Sequence, residues 1–262
     1  MPKFAANLTM LFTEVPFLER FKAAREAGFK AVEFLFPYDY QIKEIQGLLR
    51  ENDLQVVLFN LPAGNWAGGE RGIAADPRRV EEFRAGVREA VTWARALKVP
   101  RLNCLAGKAL PDCTWEEQWR TLVDNVRYAA DALAAEGLKL MVESINHFDI
   151  PGFLLNTTGQ VLELIREVDR PNVYLQYDIY HAQREEGNLT VTLREHLASI
   201  GHIQIADNPG RHQPGTGEIN YPFLLGEIDK VGYDGYVSLE YVPQPDTRQS
   251  LAWIAVYGYN LG

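Results

Sequence analysis

The chain has 262 residues, 47% of them hydrophobic and 23% charged, proportions that describe a folded globular protein and exclude a disordered or fibrous one. Its 26 Lys and Arg stand against 35 Asp and Glu, a net charge of −9 with no segregated basic stretch, so nucleic acid is excluded as a default partner. Cys104 and Cys113 make no disulfide framework or CxxC site, no run nears the ~18 apolar residues of a membrane helix, and MPKFAANLTM has no signal-peptide pattern; a cytoplasmic protein with reduced thiols is expected.

Strand-like and helix-like segments then alternate along the chain. Residues 4–8 read as a strand. A helix opens at Thr13 with Pro16 in its first turn, carries Phe17, Leu18, Phe21 and Ala24 on one face, and stops at Gly28. A strand over 31–36 precedes a helix presenting Ile42, Ile45, Leu48 and Leu49. A third strand covers 55–61, and its helix is predicted to start at Asp76-Pro77, a cap followed by proline. Val80, Phe83, Val87, Val91, Ala94 and Leu97 form that helix's apolar stripe.

The second half repeats the pattern. A strand over 101–106 leads to Thr114 and Glu117, spaced as a capping box for a helix reaching about Glu136. A strand over 138–144 precedes a helix from Thr157 with Val161, Leu164, Ile165 and Val168. A strand over 173–180 precedes one with Leu189, Leu193 and Leu197. A strand over 200–207 precedes a helix capped by Asn220 and bearing Leu224, Leu225, Ile228 and Val231. The last strand covers 236–241, and a final helix holds Leu251, Ile254 and Ala255.

Eight strand–helix units in this length predict an α/β fold, a single (β/α)8 TIM barrel occupying residues 1–262 without a linker. An open doubly wound sheet would usually carry a glycine fingerprint after its first strand, and Asn7-Leu8-Thr9-Met10 has none.

Active sites of such barrels gather at the carboxyl ends of the strands. Alternation there puts Met141 with Glu143; Tyr174 with Gln176 and Asp178; His202 with Gln204; and Ser238 with Glu240, each opposite an apolar face suited to the helices. The polar faces should therefore look inward. Glu143, Asp178, Gln204 and Glu240 would then converge from four consecutive strands, and three crowded carboxylates with an amide oxygen call for a cation. Hard oxygen donors suit Mg2+ or Mn2+ better than zinc. Taken singly, each of these residues reads equally well as a rim group paired with Arg or Lys.

Glu33 shares the inward parity and reads either as a further acid or, in preference, as a core ion-pair partner. Asn60 and Asn103 end strands and offer hydrogen bonds to a substrate, or plain turn chemistry. His147 and His181 follow Glu143 and Asp178 in their loops, and Arg211 follows the seventh strand, where a guanidinium could grip a carboxylate or phosphate. The loop over 62–76 is long and glycine-rich, and its Trp66 could close over a small ligand. The loop over 208–219, with Gly215 and Gly217, lies where many barrels bind phosphate, although turn formation explains its glycines equally well.

The segments NLPAGNWAGGERGIA (60–74), ESINHFDIPGF (143–153), QYDIYHAQ (176–183), HIQIADNPGRHQPGTGEINY (202–221) and SLEY (238–241) resemble the hydroxypyruvate isomerase family of xylose-isomerase-like TIM barrels, a likeness that runs from residue 4 to the last strand. The resemblance implies a divalent metal held by Glu143, Asp178, Gln204 and Glu240, with Glu143 and Glu240 as the acid/base pair. It also implies substrate contacts from His181 and Arg211. The expected reaction interconverts hydroxypyruvate and 2-hydroxy-3-oxopropanoate through an enediolate. Close alternatives are isomerisation of a four-carbon 2-oxo acid and 3-epimerisation of a ketose, which share the same proton abstraction. A metal-dependent DNA phosphodiesterase on the same barrel is the rival from another class; it would want a histidine-rich multi-metal site and a basic groove, against five histidines and a charge of −9. A catalytically silent scaffold is a third reading, opposed by retention of all four ligand positions. A homo-oligomer is expected if the aromatic stretch Trp253–Tyr259 is too apolar to stand exposed.

Overall fold

Eight parallel strands close on themselves in sequence order in this computed structural model, which describes residues 1–261. The strands are β1 (Lys3–Asn7), β2 (Ala31–Glu33), β3 (Gln55–Asn60), β4 (Arg101–Cys104), β5 (Lys139–Glu143), β6 (Val173–Asp178), β7 (Ile200–Ile205) and β8 (Tyr236–Leu239), and β8 pairs with β1. The helices are α1 (Phe17–Ala27), α2 (Ile42–Glu51), α3 (Val80–Leu97), α4 (Trp115–Ala134), α5 (Thr158–Val168), α6 (Ile179–Glu185), α7 (Leu189–His196), α8 (Tyr221–Lys230), α9 (Thr247–Ser250) and α10 (Ala252–Val256). This is the (β/α)8 TIM barrel expected from the alternating segments.

Local chemistry sets most boundaries. Gly28 ends α1 at φ 107°, where a side chain would be strained. Thr114 and Glu117 form the expected capping box on α4, and Thr157 with Gln160 forms another on α5. The strands expected over 31–36, 101–106, 200–207 and 236–241 are two or three residues shorter at their carboxyl ends, and three other boundaries move for local reasons. Helix α1 begins at Phe17, because Pro16 is its extended N-cap and not part of its first turn. Helix α3 begins at Val80, because the Asp76 carboxylate accepts the Arg78 N–H at 3.0 Å and folds residues 76–79 into a turn. The strand expected over 173–180 stops at Asp178. There the Asp178 side chain caps α6, a helix the apolar Ile179-Tyr180 pair had disguised as strand.

The alternation holds as read. Leu140, Val142, Leu175, Tyr177, Ile203, Ile205, Val237 and Leu239 pack outward into the main apolar core beneath the helices. Inside the barrel the amino-terminal end is plugged by Ala5, Ala31, Val57, Leu58 and Met141. Above that plug the interior is polar. Strand register sets Asn7 beside Glu33, Asn60 beside Asn103, Glu143 beside Gln176 and Asp178 beside Gln204.

The carboxyl-terminal aromatic stretch is spent inside the molecule. Trp253 and Tyr259 pack edge-on against Phe4 of β1 at 5.4 and 5.9 Å, leaving Val256 as the exposed large apolar residue of the segment at 77%. The apolarity that suggested a subunit interface thus has an intramolecular use. No helix among the described residues is long and apolar enough to cross a membrane. Both cysteines are free, Cys104 buried and Cys113 partly exposed.

Candidate active site

A cavity of about 350 Å³ opens at the carboxyl ends of the strands, and Asn60, Trp66, Glu143, His181, Gln204, Arg211 and Glu240 all line it. Asp178 sits just beneath, buried, with its Oδ2 3.5 Å from the Arg211 guanidinium. The expected metal-ligand, acid/base and substrate-contact residues are therefore brought together, along with Asn103, whose Nδ2 donates to Glu143 Oε2 at 3.1 Å. His147 is not. It is half exposed and paired with Glu185 at 2.8 Å, away from the cavity.

A buried chain of hydrogen bonds ties the cavity lining together. The Gln176 amide donates to Glu143 Oε2 at 3.0 Å and to Gln204 Oε1 at 2.7 Å. Gln204 donates in turn to Glu33 Oε1 at 2.8 Å. Asn7 donates to Glu33 Oε1 at 2.9 Å and to Glu240 Oε1 at 3.0 Å. The two expected acid/base carboxylates are thereby joined through three amides and Glu33. Because Glu33 accepts only, Gln204 must face it with nitrogen, and the amide oxygen is turned toward Gln176 and the cavity.

Glu33 is paired in the core with His202, in line with the core-partner reading that the sequence favoured. Its Oε2 lies 2.7 Å from His202 Nε2, and both side chains are 0% exposed. Burial pushes the Glu33 carboxyl up, but His202 and the hydrogen-bond donors around it outweigh burial and hold it below the usual carboxylate range.

The cavity carboxylates behave oppositely. Burial, then the charges of Glu240 and Asp178, push Glu143 well above the ordinary range. Burial likewise raises Glu240 to about 8 against the pull of Arg211, whose Nη2 lies 2.8 Å from Glu240 Oε2. One guanidinium among three buried carboxylates leaves a deficit of positive charge, which protons fill when no cation does. Glu143, Asp178 and His181 present ligand atoms within 4.8 Å of one another, a grouping that could hold a metal ion. The donor set and its unmet charge fit a divalent cation.

His181 is neutral, since burial drives its pKa down to about 3. Its tautomer follows from Asn146. That amide oxygen accepts the Asp149 N–H and its nitrogen donates to the Asp149 carboxylate, so nitrogen faces His181 Nδ1 at 2.6 Å. Nδ1 accepts, and Nε2 keeps its hydrogen. His181 thus offers the cavity a donor, in keeping with a substrate contact more than with a metal bond.

Both long loops are built structures. In the loop over 62–76, Glu70 is held by Arg79 at 2.5 Å and by the Asn65 N–H. Gly72, at φ 115°, presses on the Leu105 carbonyl and Gly107 where a Cβ would not fit. Trp66 packs against Phe36 with ring centroids 5.0 Å apart and carries the Arg71 guanidinium 4.1 Å from its ring centre. In the loop over 208–219 the Asp207 carboxylate accepts the N–H groups of Asn208, Gly215, Thr216, Gly217 and Ile219. Those donors are spent on Asp207, so the glycines there serve the turn and not a phosphate. Asn7, Arg71 and Asp207 were not singled out in the sequence, although Asn7 ends its strand as Asn60 does and the other two lie within the quoted segments.

A closed (β/α)8 barrel with carboxylates gathered at the carboxyl ends of its strands defines a TIM-barrel enzyme. The family model described as xylose isomerase-like TIM barrel matches residues 21–257. The chain is 52% identical over 257 residues to hydroxypyruvate isomerase of Escherichia coli strain K12, covering 98% of this chain and 100% of that one. It is 47% identical over 253 residues to 2-oxo-tetronate isomerase of Pectobacterium atrosepticum, covering 97% of each. A solved structure from Brucella melitensis described as AP endonuclease, family 2, superposes with a TM-score of 0.95 at 45% identity, covering 98% of this chain and 99% of that one. The chain belongs to the hydroxypyruvate isomerase family of xylose isomerase-like TIM barrels, and it is an isomerase.

Proposed function

We propose that the protein interconverts hydroxypyruvate and 2-hydroxy-3-oxopropanoate by moving a proton between adjacent carbons through an enediolate. Glu143, Asp178, Gln204 and Glu240 would hold a divalent metal, Mg2+ or Mn2+ on the hardness of the oxygen donors. When bound, the metal supplies a Lewis acid that polarises the substrate carbonyl and makes the neighbouring C–H more acidic.

Glu143 and Glu240 exchange the proton. Glu143 Oε2 is fixed by Asn103 and Gln176, which leaves Oε1 for the substrate carbon. Glu240 is held at both oxygens, by Asn7 and Arg211, and stands as partner in the return step. The His181 Nε2–H and the Arg211 guanidinium donate to substrate oxygens as charge develops there. Asn60 supplies a further polar contact on the opposite wall, and Trp66 covers the ligand and excludes water.

The observation that supports this reading most is the pair of buried carboxylates, Glu143 and Glu240, both raised in pKa and lining one small cavity. Relatives named for three- and four-carbon 2-oxo acids make the four-carbon acid the near alternative. The name of the Brucella melitensis structure favours a DNA-cleaving reading, and two features oppose it. His181 is the cavity's histidine out of five in the chain, and the net charge is −9.

Proton NMR of the Mg2+-loaded protein with hydroxypyruvate in D2O tests the reading. Aldehyde-hydrate product that has taken up deuterium is expected; no conversion above the enzyme-free rate removes hydroxypyruvate as the substrate and brings the four-carbon acid forward.

A further inference from the structure

Among the described residues two cationic side chains line the cavity, Arg71 and Arg211, and they are in different electrostatic states. Arg211 is committed to Glu240 at 2.8 Å and to Asp178 at 3.5 Å. Arg71 pairs with no carboxylate among the described residues. Its Nη1 donates to the carbonyls of Glu70 at 2.6 Å and Trp66 at 3.2 Å, and its plane lies over the Trp66 ring. Among the described residues neither Nε nor Nη2 has an acceptor, so one edge of the guanidinium fork is unspent.

The walls around Arg71 sharpen the point. The loop bearing Arg71 follows β3, and the loop bearing Arg211 follows β7, so the two stand half-way round an eight-stranded barrel from each other. The proposed reacting groups come from β5 to β8. The facing wall is largely apolar, with Met10, Phe34, Leu35, Leu58 and Leu105. A fixed guanidinium with a free edge, set in an apolar wall across from the acid/base pair, suits a planar anion bound at two points.

We infer that Arg71 is the anchor for the substrate carboxylate and the residue that makes the site select 2-oxo acids over neutral ketoses of the same length. This rests on the isomerase reading above and deepens it, since it moves the carboxylate contact from Arg211 to Arg71 and leaves Arg211 to the oxygens of the reacting carbons. The carbonyl grip on Nη1 and the stacking on Trp66 hold the fork in place before substrate arrives, so little side-chain freedom is lost on binding.

D-glycerate, an unreactive three-carbon acid, is the probe, titrated calorimetrically into the Mg2+-loaded protein. Arg71→Gln should weaken glycerate binding on the order of 100-fold, as loss of one partner from a desolvated charge pair does. It should raise KM for hydroxypyruvate in proportion while kcat moves little, and the preference in kcat/KM for hydroxypyruvate over dihydroxyacetone should collapse. Arg71→Lys keeps the charge but loses the planar fork stacked on Trp66, so it should recover part of the glycerate affinity and not all of it. Glycerate bound by Arg71→Gln as tightly as by wild type overturns the inference. So does an equal loss in Arg71→Lys, which would assign the effect to loop packing. If the wild-type protein converts no 2-oxo acid, the isomerase reading falls by itself, because glycerate binding is measured without turnover.

Discussion

Glu33 makes no contact with the cavity, yet it decides which atom Gln204 shows to it. Its carboxylate takes Gln204 Nε2 at 2.8 Å and, through Asn7, reaches Glu240. Glu33→Leu would remove the acceptor at that junction and release the Gln204 amide to turn over, withdrawing the oxygen proposed as a ligand. Mg2+ affinity by calorimetry should fall ~10–100-fold, the usual penalty when a ligand's supporting partner is lost, with the far-UV circular dichroism of the folded barrel retained. Adding Gln204→Glu should restore binding, because a carboxylate shows oxygen whichever way it lies; no restoration would reduce Glu33 to a packing role. The inward-facing positions were legible because a period of two fixes which way Glu143, Gln204 and Glu240 point. Their partners were not, because pairing inside a closed barrel joins positions as far apart as Glu33 and His202 or Asn7 and Glu240, separated by 169 and 233 residues. No local pattern encodes that distance.

At the scale of elements, end chemistry decided where reading succeeded. Thr114-x-x-Glu117 and Asn220 advertise helix starts because the capping side chain sits beside the backbone it satisfies. Asp178 is a cap as well, accepting the Tyr180 and His181 N–H groups, and this is why α6 starts directly off β6 and delivers His181 to the cavity. In the sequence that cap is masked by the charge of Asp178 and by the strand preference of Ile179-Tyr180. Thr114 lies outside the cavity lining. Thr114→Ala should cost ~1 kcal/mol in urea unfolding while kcat/KM for hydroxypyruvate stays at the wild-type value. A comparable loss in activity would mean that α4 is coupled to the site.

For the whole molecule, the unmet charge of the site links stability to cation and pH. The folded chain holds the Glu240 proton to about 8, whereas the unfolded chain releases it near 4.5. The folded state therefore binds more protons across that window, and the stability of the metal-free protein should fall as pH rises through it. A cation has to displace that proton, so the rise in melting temperature on adding Mg2+ should be larger at pH 8 than at pH 6. Saturation at ~1,000 times Kd would stabilise the fold by ~4 kcal/mol, and a chelator should reverse it. A shift that is absent, or larger at pH 6, would remove Glu240 from the ligand set. The barrel itself was legible from end to end, because eight repeats of one strand–helix unit leave few closed arrangements. Cavity lining also divides by chain order: Asn60, Trp66, Arg71 and Leu105 precede β5, whereas Glu143, Gln204, Arg211 and Glu240 come from β5 onward. One genetic crossover in the connection between β4 and β5 would therefore exchange most of the wall that meets the far end of a ligand and keep the acid pair, provided the incoming half again carries Asn7, Glu33 and Asn103 to hold it. A lineage of such barrels has a ready route to new diets by recombination, without reinventing its chemistry.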